Sequence, residues 1–129
     1  MKHIEVVAAI IVHDGKVLAT QRGYGNYAGK WEFPGGKIEP GEAPEAALVR
    51  EIHEELDAAI EVGSPLVTVD YDYPEFAMTM RCYVCELEGS VKLLEHSDAR
   101  WLVRDELDSV DWLPSDIEVI AAIRAAEVV

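Results

Sequence analysis

Basic residues are scarce in this sequence. It contains 11 Lys and Arg against 25 Asp and Glu, which gives a formal net charge of −14 at pH 7. Binding to a nucleic-acid polymer requires a basic face that neutralises phosphates, so the charge argues against DNA or RNA as a partner. A nucleotide is still compatible with this charge, because bound metal ions reverse the local field at a carboxylate site.

Long apolar runs are also missing. Half of the 129 residues are apolar, yet no run approaches the roughly 18 residues needed to span a bilayer. The N-terminal segment 1–16 is interrupted by Glu5 and alternates like a strand, so we do not interpret it as a signal peptide. We therefore expect a cytoplasmic protein without a membrane partner, folded as one domain over 1–129, as a monomer or homodimer.

Cysteine occurs at two positions, Cys82 and Cys85. The C-x-x-C spacing is typical of zinc and redox sites, but here it lies inside an alternating segment, 78–87. Residues i and i+3 of a strand point to opposite faces, and no second pair exists to complete a zinc site. The pattern predicts two reduced cysteines in a strand.

The remaining pattern predicts two helices around a mixed sheet. Asp14-Gly15 is a hairpin signal between strands at 4–12 and 16–22. Pro44 suits the first turn of a helix that ends near Leu56. The apolar stripe predicted for this helix is Ala47, Leu48, Ile52 and Leu56. Further strands are predicted at 31–33, 60–62, 66–73, 78–87 and 99–102, and a helical turn at 104–107.

A second helix is predicted over 115–126. Ser115 is the predicted N-cap, and the positions at helical spacing after it are Ile117, Ile120, Ala121 and Ile123 or Arg124. Two helices and a mixed sheet predict an α/β/α sandwich.

The first helix carries three glutamates on one face. Glu51, Glu54 and Glu55 lie at i, i+3 and i+4, so their side chains share a stripe. Three carboxylates at this spacing suit a hard divalent cation, which in turn suits phosphate chemistry. The alternative is a solvated acidic face without a ligand.

The segment 36–58 resembles the Nudix box, whose family hydrolyses nucleoside diphosphates linked to another group. Gly36, five residues, Glu42, seven residues and then the run 50–56 (REIHEEL) match the pattern. Asp57 departs from it, because the family usually has a glycine there that ends the helix in a left-handed turn, a role that Asp can also fill. The resemblance implies the Nudix-type α/β/α fold.

The resemblance also implies the metal site. It carries Glu51, Glu54 and Glu55 over as ligands of Mg²⁺, with Mn²⁺ able to substitute, and Glu51 and Glu54 as catalytic residues, Glu51 as the activator of the water. The carbonyl of Gly36 is a further predicted ligand. Glu95 is the predicted catalytic residue from a late loop, with His96 or a solvent-exposed loop as the alternatives.

Four polar residues are expected around these ligands. In the family, an arginine equivalent to Arg50 orients a glutamate of the box, although direct phosphate contact is an alternative for Arg50. Glu42 is expected to fix the loop or to act through a water. Lys37 and Arg22 are predicted phosphate-binding residues, Arg22 by its resemblance to an arginine of MutT-like relatives, with surface charges as the alternative.

Segments 27–42 and 111–120 are similar to MutT-like nucleoside triphosphate pyrophosphohydrolases. In those relatives a base lies between apolar residues that correspond to Phe33, Tyr73 and Met78, with ordinary packing in the core or at the rim as the alternative for each. Asp116 stands where they place an Asn or Asp that reads the base edge, with a second helix cap after Ser115 as the alternative. A carboxylate accepts from the amine of cytosine and equally from the donors of guanine or 8-oxoguanine. Phe76 stands near the position where the 8-oxo-dGTP-cleaning branch has an arginine over the base, and the absence of that arginine here favours pyrimidine triphosphates.

The resemblance therefore implies a Mg²⁺-dependent nucleoside triphosphate pyrophosphohydrolase with a small nucleotide as substrate, with a preference for cytidine or modified nucleotides. An 8-oxo-dGTP-cleaning enzyme and a hydrolase of another conjugate, such as ADP-ribose, are the alternatives. A non-catalytic nucleotide-sensing module is a third, and the three retained glutamates argue against it.

Overall fold

The computed structural model describes residues 2–92 and 96–129, which form seven strands and two α-helices. The strands are β1 (Lys2–His13), β2 (Lys16–Arg22), β3 (Trp31–Glu32), β4 (Gly35–Lys37), β5 (Ala59–Asp72), β6 (Phe76–Glu88) and β7 (His96–Leu102). The helices are α1 (Pro44–Leu56) and α2 (Pro114–Ala125), with a 3-10 turn at Arg104–Glu106. Neither described helix is long and apolar enough to cross a membrane.

The described strands form one mixed sheet with β1 at its centre. Its order is β3-β2-β1-β6-β5, with β4 added to β1 and β7 to β2. β1 runs parallel to β6 and antiparallel to β2 and β4. The sequence predicted most of these strands, but β5 is continuous where two strands were predicted, and the glycine-rich β4 was not predicted.

Alternating residues of β1 supply two apolar cores, one on each face of the sheet. Val7, Ala9 and Ile11 pack with the buried stripe of α1. Ala8 and Ile10 pack with the buried residues of α2. The α/β/α sandwich is therefore confirmed, as is its mixed sheet.

The two cysteines are on opposite faces of β6, as predicted. Cys82 is buried in the core beneath α2 and Cys85 in the core beneath α1, and both are free. Burial raises the pKa of both thiols, that of Cys85 to about 12. A protonated, buried thiol is a poor nucleophile and metal ligand.

Helix α1 buries the predicted stripe of Ala47, Leu48, Ile52 and Leu56. Asp57 ends it in the left-handed conformation, with φ 47° and ψ 42°. The residue that departs from the box pattern thus keeps the backbone turn that glycine usually provides.

Helix α2 corrects three predictions. It begins at Pro114 after Leu113, so Ser115 is not the N-cap, and neither Ser115 nor Asp116 makes a side-chain cap hydrogen bond. Proline suits the first helical position, because it has no N–H group that would be left without an acceptor there. Ile117 is 62% exposed, because the helix is rotated so that other positions face the sheet. The buried residues are Ser115, Asp116, Val119, Ile120 and Ile123.

Candidate active site

Two glycines bring β4 against neighbouring groups. Gly35 pairs with Ala8 and Gly36 with Val7. A Cβ at Gly35 would overlap the backbone oxygen of Val7, and a Cβ at Gly36 would overlap the carboxylate of Glu51. Glycine alone allows both approaches. The backbone of Gly36 therefore lies directly against the acidic face of α1.

Arg50 connects this acidic face to the loop before α1. Its Nε and Nη2 each donate to one oxygen of Glu42 at 2.8 Å. Its Nη1 donates to Glu51 at 2.9 Å and to Glu54 at 3.3 Å. Nη2 also donates to the carbonyl of Lys37 at 3.0 Å. One planar guanidinium thus fixes two of the three predicted carboxylate ligands relative to the glycine turn.

The Glu42 carboxylate closes the loop that precedes α1. The Glu39 N–H donates to Glu42 Oε1 at 3.0 Å, and the Glu42 N–H donates back to the Glu39 carbonyl at 3.0 Å. Hydrogen bonding from Arg50 is the main cause that lowers the pKa of Glu42 to about 2. The same pairing raises the pKa of Arg50. Both groups are therefore charged at neutral pH, which keeps the pair intact.

Among residues 2–92 and 96–129, no three His, Cys, Asp or Glu side chains form a ready-made set of metal ligands. Glu51 and Glu54 are turned toward Arg50 instead. Their chemistry nevertheless fits a hard cation, because oxygen donors share one face of α1 and Glu51 fills the space that a Cβ on Gly36 would occupy. The assignment of Gly36, Glu51, Glu54 and Glu55 as ligands stays a prediction.

A cavity of about 620 Å³ opens next to this face. Gly36, Lys37 and Glu55 are among its lining residues. This volume is in the usual range for a small-molecule site. The apolar part of its wall includes Phe33, Tyr73, Phe76, Met78, Met80 and Leu113.

Asp116 places a carboxyl group in this apolar wall. It is 3% exposed, and its Oδ1 has no hydrogen-bond partner in the described part of the chain. Burial, followed by the charge of Glu32, raises the pKa of Asp116 well above its ordinary value, while the Phe33 N–H and Arg22 act in the opposite direction. An unpaired buried acceptor is unfavourable, so a ligand that donates to Oδ1 would relieve this cost.

Arg22 lines the same cavity at the end of β2. Its Nη1 donates to Glu32 Oε1 at 3.0 Å, and its Nε is buried with no partner among the described residues. Arg22 is half-buried, with 38% of its side chain exposed, and so differs from a simple surface charge. Its contact with phosphate stays a prediction. In the structure the Arg22 guanidinium pairs with Glu32 through Nη1.

A model of the NUDIX domain family matches residues 1–123. The chain belongs to the NUDIX domain family. It is 39% identical to the CTP pyrophosphohydrolase of Escherichia coli (strain K12), over 98% of this chain and 97% of that protein. It is 32% identical to the 8-oxo-dGTP diphosphatase of the same strain, over 96% of this chain and 98% of the relative.

Solved structures show the same NUDIX fold. The solution structure of the E. coli ORF135 protein matches with a TM-score of 0.88 at 36% identity, covering 98% of this chain and 92% of that chain. The crystal structure of a MutT NUDIX hydrolase from Burkholderia pseudomallei matches with a TM-score of 0.87 at 27% identity, covering 95% and 99%.

The cavity gathers eight predicted site residues of this NUDIX domain. Phe33, Tyr73 and Met78 are buried, with exposed fractions of 4%, 5% and 8%. The predicted residues that line the cavity are Gly36, Glu55, Arg22, Lys37, Phe33, Tyr73, Met78 and Asp116. These placements leave the individual roles as predictions.

Four predicted residues of the Nudix box are not among the cavity-lining residues. Beside the glycine turn, Arg50 pairs with each of the other three, Glu42, Glu51 and Glu54. Glu95, the predicted catalytic residue from the late loop, lies outside the described residues.

Among the cavity residues that were not singled out from the sequence are Glu32, Tyr24 and Tyr27. Glu32 accepts the Arg22 hydrogen bond and lies close enough to influence Asp116. Tyr24 is 66% exposed, and Tyr27 has a positive φ of 66° with its ring 5.4 Å from that of Tyr73. The glycines on either side of Tyr24 were the available signal, because they indicate a loop free to approach a ligand. No comparable signal marked Glu32.

Proposed function

We propose that this NUDIX protein is a Mg²⁺-dependent nucleoside triphosphate pyrophosphohydrolase that converts a nucleoside triphosphate and water into the monophosphate and pyrophosphate, with cytidine nucleotides preferred. One observation carries the proposal. A single cavity joins a buried carboxyl group in an apolar wall, Asp116, to the glycine turn beside the acidic helix. Such a cavity has room and chemistry for a base together with its phosphates.

The phosphates are assigned to the side of the cavity that contains Gly36 and Lys37. Lys37 is exposed at the cavity and supplies a mobile cation for phosphate oxygens. Arg22 is the second proposed phosphate contact, through the Nε that its pair with Glu32 leaves available.

Glu51, Glu54 and Glu55, with the carbonyl of Gly36, would hold the Mg²⁺, and Mn²⁺ can take its place. When bound, the cation would neutralise phosphate charge and lower the pKa of a water molecule. Arg50 orients Glu51 and Glu54 from behind through its Nη1. Glu51 is the proposed acceptor of the proton from water, and Glu95 the proposed further catalytic group.

The base is assigned to the apolar wall of Phe33, Tyr73 and Met78. Aromatic stacking on a base is worth about 1–3 kcal/mol and tolerates different bases, so selectivity must come from a polar group. Asp116 Oδ1 is buried in that wall without a partner in the described chain. The exocyclic amine of cytosine is a donor that can satisfy it, whereas uracil has an acceptor at the same position.

The second candidate is hydrolysis of 8-oxo-dGTP. It is favoured by the 32% identity to the E. coli 8-oxo-dGTP diphosphatase over nearly the whole chain. Guanine and its oxidised form also present donors that a carboxylate accepts. Phe76 lines the cavity and its ring is 5.3 Å from that of Tyr73, so this position adds apolar wall and no cation.

The test is steady-state kinetics of pyrophosphate release in the presence of Mg²⁺. CTP, dCTP, UTP, dGTP and 8-oxo-dGTP are compared, and a cytidine nucleotide is expected to have the highest kcat/KM. Glu54→Gln is expected to lower kcat roughly 100-fold, the size of effect seen when metal coordination is disturbed. Glu45→Gln, on the same helix and exposed, is the matched control and is expected to retain activity.

Two results would overturn the proposal. If no nucleoside triphosphate is hydrolysed faster by the unmodified protein than by the Glu54→Gln variant, the catalytic assignment is wrong. If 8-oxo-dGTP has the highest kcat/KM, the reaction stands and Asp116 reads a purine edge instead.

A further inference from the structure

The first turn of α2 is held by a tyrosine from the other side of the cavity. The Tyr73 hydroxyl is 2.7 Å from Ser115 Oγ, and the Ser115 N–H donates to the same hydroxyl at 3.3 Å. Both residues are buried, with 5% and 3% of their surface exposed. A single phenolic oxygen thus makes two hydrogen bonds to one residue of α2.

This contact replaces a helix cap. The first N–H groups of a helix have no partner within the helix, and no side chain at the start of α2 caps them. Ser115 follows Pro114, the first helical residue, so its N–H is one of these donors. Tyr73 satisfies it from outside the helix, in a place where water would otherwise have to be buried.

The residue immediately after Ser115 is Asp116, whose Oδ1 is buried without a partner in the described residues. The segment before α2 is fixed separately, because the Trp31 N–H donates to the Asp111 carbonyl and the Leu113 N–H to the Trp31 carbonyl, both at 2.8 Å. These two bonds fix where the helix starts. The bonds from Tyr73 fix how its first turn is rotated, and therefore where the Asp116 carboxyl group points.

Tyr73 is itself rigidly placed. It lies in the turn between β5 and β6, where its N–H donates to the Phe76 carbonyl at 2.9 Å. Its ring contacts those of Tyr27, Tyr71 and Phe76, at centroid distances of 5.4, 4.7 and 5.3 Å. A side chain with this many fixed neighbours can transmit a defined position to α2.

We propose that Tyr73 is a positioning residue whose hydroxyl, acting through Ser115, holds Asp116 in register with the base. The inference rests on the proposed function, because it takes Asp116 as the group that reads the base edge. It adds a role for the hydroxyl that is separate from the ring: the ring forms part of the apolar wall, and the oxygen sets selectivity.

Tyr73→Phe tests the inference, because it keeps the ring and removes the oxygen. The ratio of kcat/KM for CTP to that for UTP is expected to fall about tenfold, the equivalent of one well-placed hydrogen bond. The loss is expected mainly as a higher KM for CTP. Tyr71→Phe is the matched control, since it makes the same change in a neighbouring ring that does not line the cavity, and its ratio is expected to match that of the unmodified protein.

Ser115→Ala is a second variant that tests the connection between Tyr73 and Ser115. It removes Oγ and leaves the N–H bond, so a smaller fall in the CTP to UTP ratio is expected. The double variant Tyr73→Phe/Ser115→Ala is expected to resemble Tyr73→Phe alone, because both changes break one connection.

A purely structural contact would give a different result. It would lower the melting temperature and reduce activity on CTP and UTP by the same factor, and that outcome, or an unchanged ratio, overturns the positioning role while leaving the proposed function intact. An Asp116→Ala variant that keeps the full preference for CTP overturns the base assignment and this inference together. Absence of any triphosphate hydrolysis by the unmodified protein overturns the proposed function itself.

Discussion

The backbone of Gly36 lies so close to the carboxylate of Glu51 that a Cβ on Gly36 would overlap it. The contact joins β4, a short strand with two glycines, to the acidic face of α1. It explains why a glycine is needed at a position with ordinary backbone angles. The requirement comes from space and not from a left-handed turn.

Gly36→Ala is therefore expected to lower kcat for triphosphate hydrolysis by about 100-fold, because it displaces Glu51 by a distance of atomic size. The fold should survive, since the overlapping group is the end of a side chain that can move. Far-UV circular dichroism and kcat are the measurements. Full activity in this variant would contradict the proposed role of the contact.

Gly35→Ala is expected to lower the stability of the fold, whereas Gly36→Ala is expected to lower kcat. The overlap at Gly35 is with the backbone of Val7, which cannot move without disturbing the pairing of β4 with β1. We expect a loss of about 1–3 kcal/mol in the free energy of unfolding, as for other overpacked sites. Urea denaturation measures it, and unchanged stability would show that β4 can shift freely.

Arg50→Lys is expected to lower kcat at least about tenfold while retaining the positive charge. The single ammonium group of lysine lacks the planar fork of a guanidinium. It therefore cannot bind both oxygens of Glu42 and also donate to Glu51. Arg124→Lys is the control, because Arg124 pairs with the exposed Asp108 at 2.8 Å away from the cavity. Equal activity of the two variants would mean that charge alone is sufficient at position 50.

The α1 helix and its acidic stripe were predictable because helical periodicity and the box spacing are local properties. The cysteines were predictable for the same reason, since alternation along β6 alone decides their faces. The start of α2 was not: Ser115 has a good N-cap side chain, but it is buried and bonded to Tyr73, a residue distant in sequence. Tertiary contacts of this kind leave no periodic signal.

The site also combines features that were predictable from local sequence patterns with contacts that were not. The motif predicted that Glu51, Glu54 and Arg50 share one surface, and the resemblance predicted that Asp116 lies near a base. The resemblance predicted that Arg50 orients a glutamate of the box. Neither the motif nor the resemblance could show that Arg50 also bonds Glu42 and the carbonyl of Lys37, or that Arg22 pairs with Glu32, because these contacts join different parts of the fold. Glu95 stays a prediction outside the described residues.

Asp116 predicts a pH dependence of stability. Its pKa in the folded protein is raised by burial above the ordinary 3.8, so the folded state holds the proton more tightly than the unfolded state. Stability from this group is present at low pH and is lost as the pH rises from about 4 through the raised pKa. Glu32 and Arg22 are the charged groups that influence it most.

Asp116→Asn removes this titration and keeps the size of the side chain. The free energy of unfolding of the variant, minus that of the unmodified protein, is expected to increase as the pH rises from about 4. Urea denaturation across a pH series measures the difference. A difference that is constant with pH would show that Asp116 titrates normally in the folded protein.

Cys82 and Cys85 are expected to resist alkylation. Both are about 1% exposed, and burial raises the pKa of each. Mass spectrometry after brief iodoacetamide treatment should show no label on the native protein and two labels after denaturation. Rapid labelling of either native thiol would contradict the placement of β6 between two apolar cores.

The proposed function depends on hydrolysis of a nucleoside triphosphate to the monophosphate. Phosphorus-31 NMR of CTP incubated with the protein and Mg²⁺ tests it most directly, because it identifies both products at once. CMP and pyrophosphate are expected in equal amounts. Formation of CDP and inorganic phosphate, or no product beyond that of the Glu54→Gln variant, would contradict it.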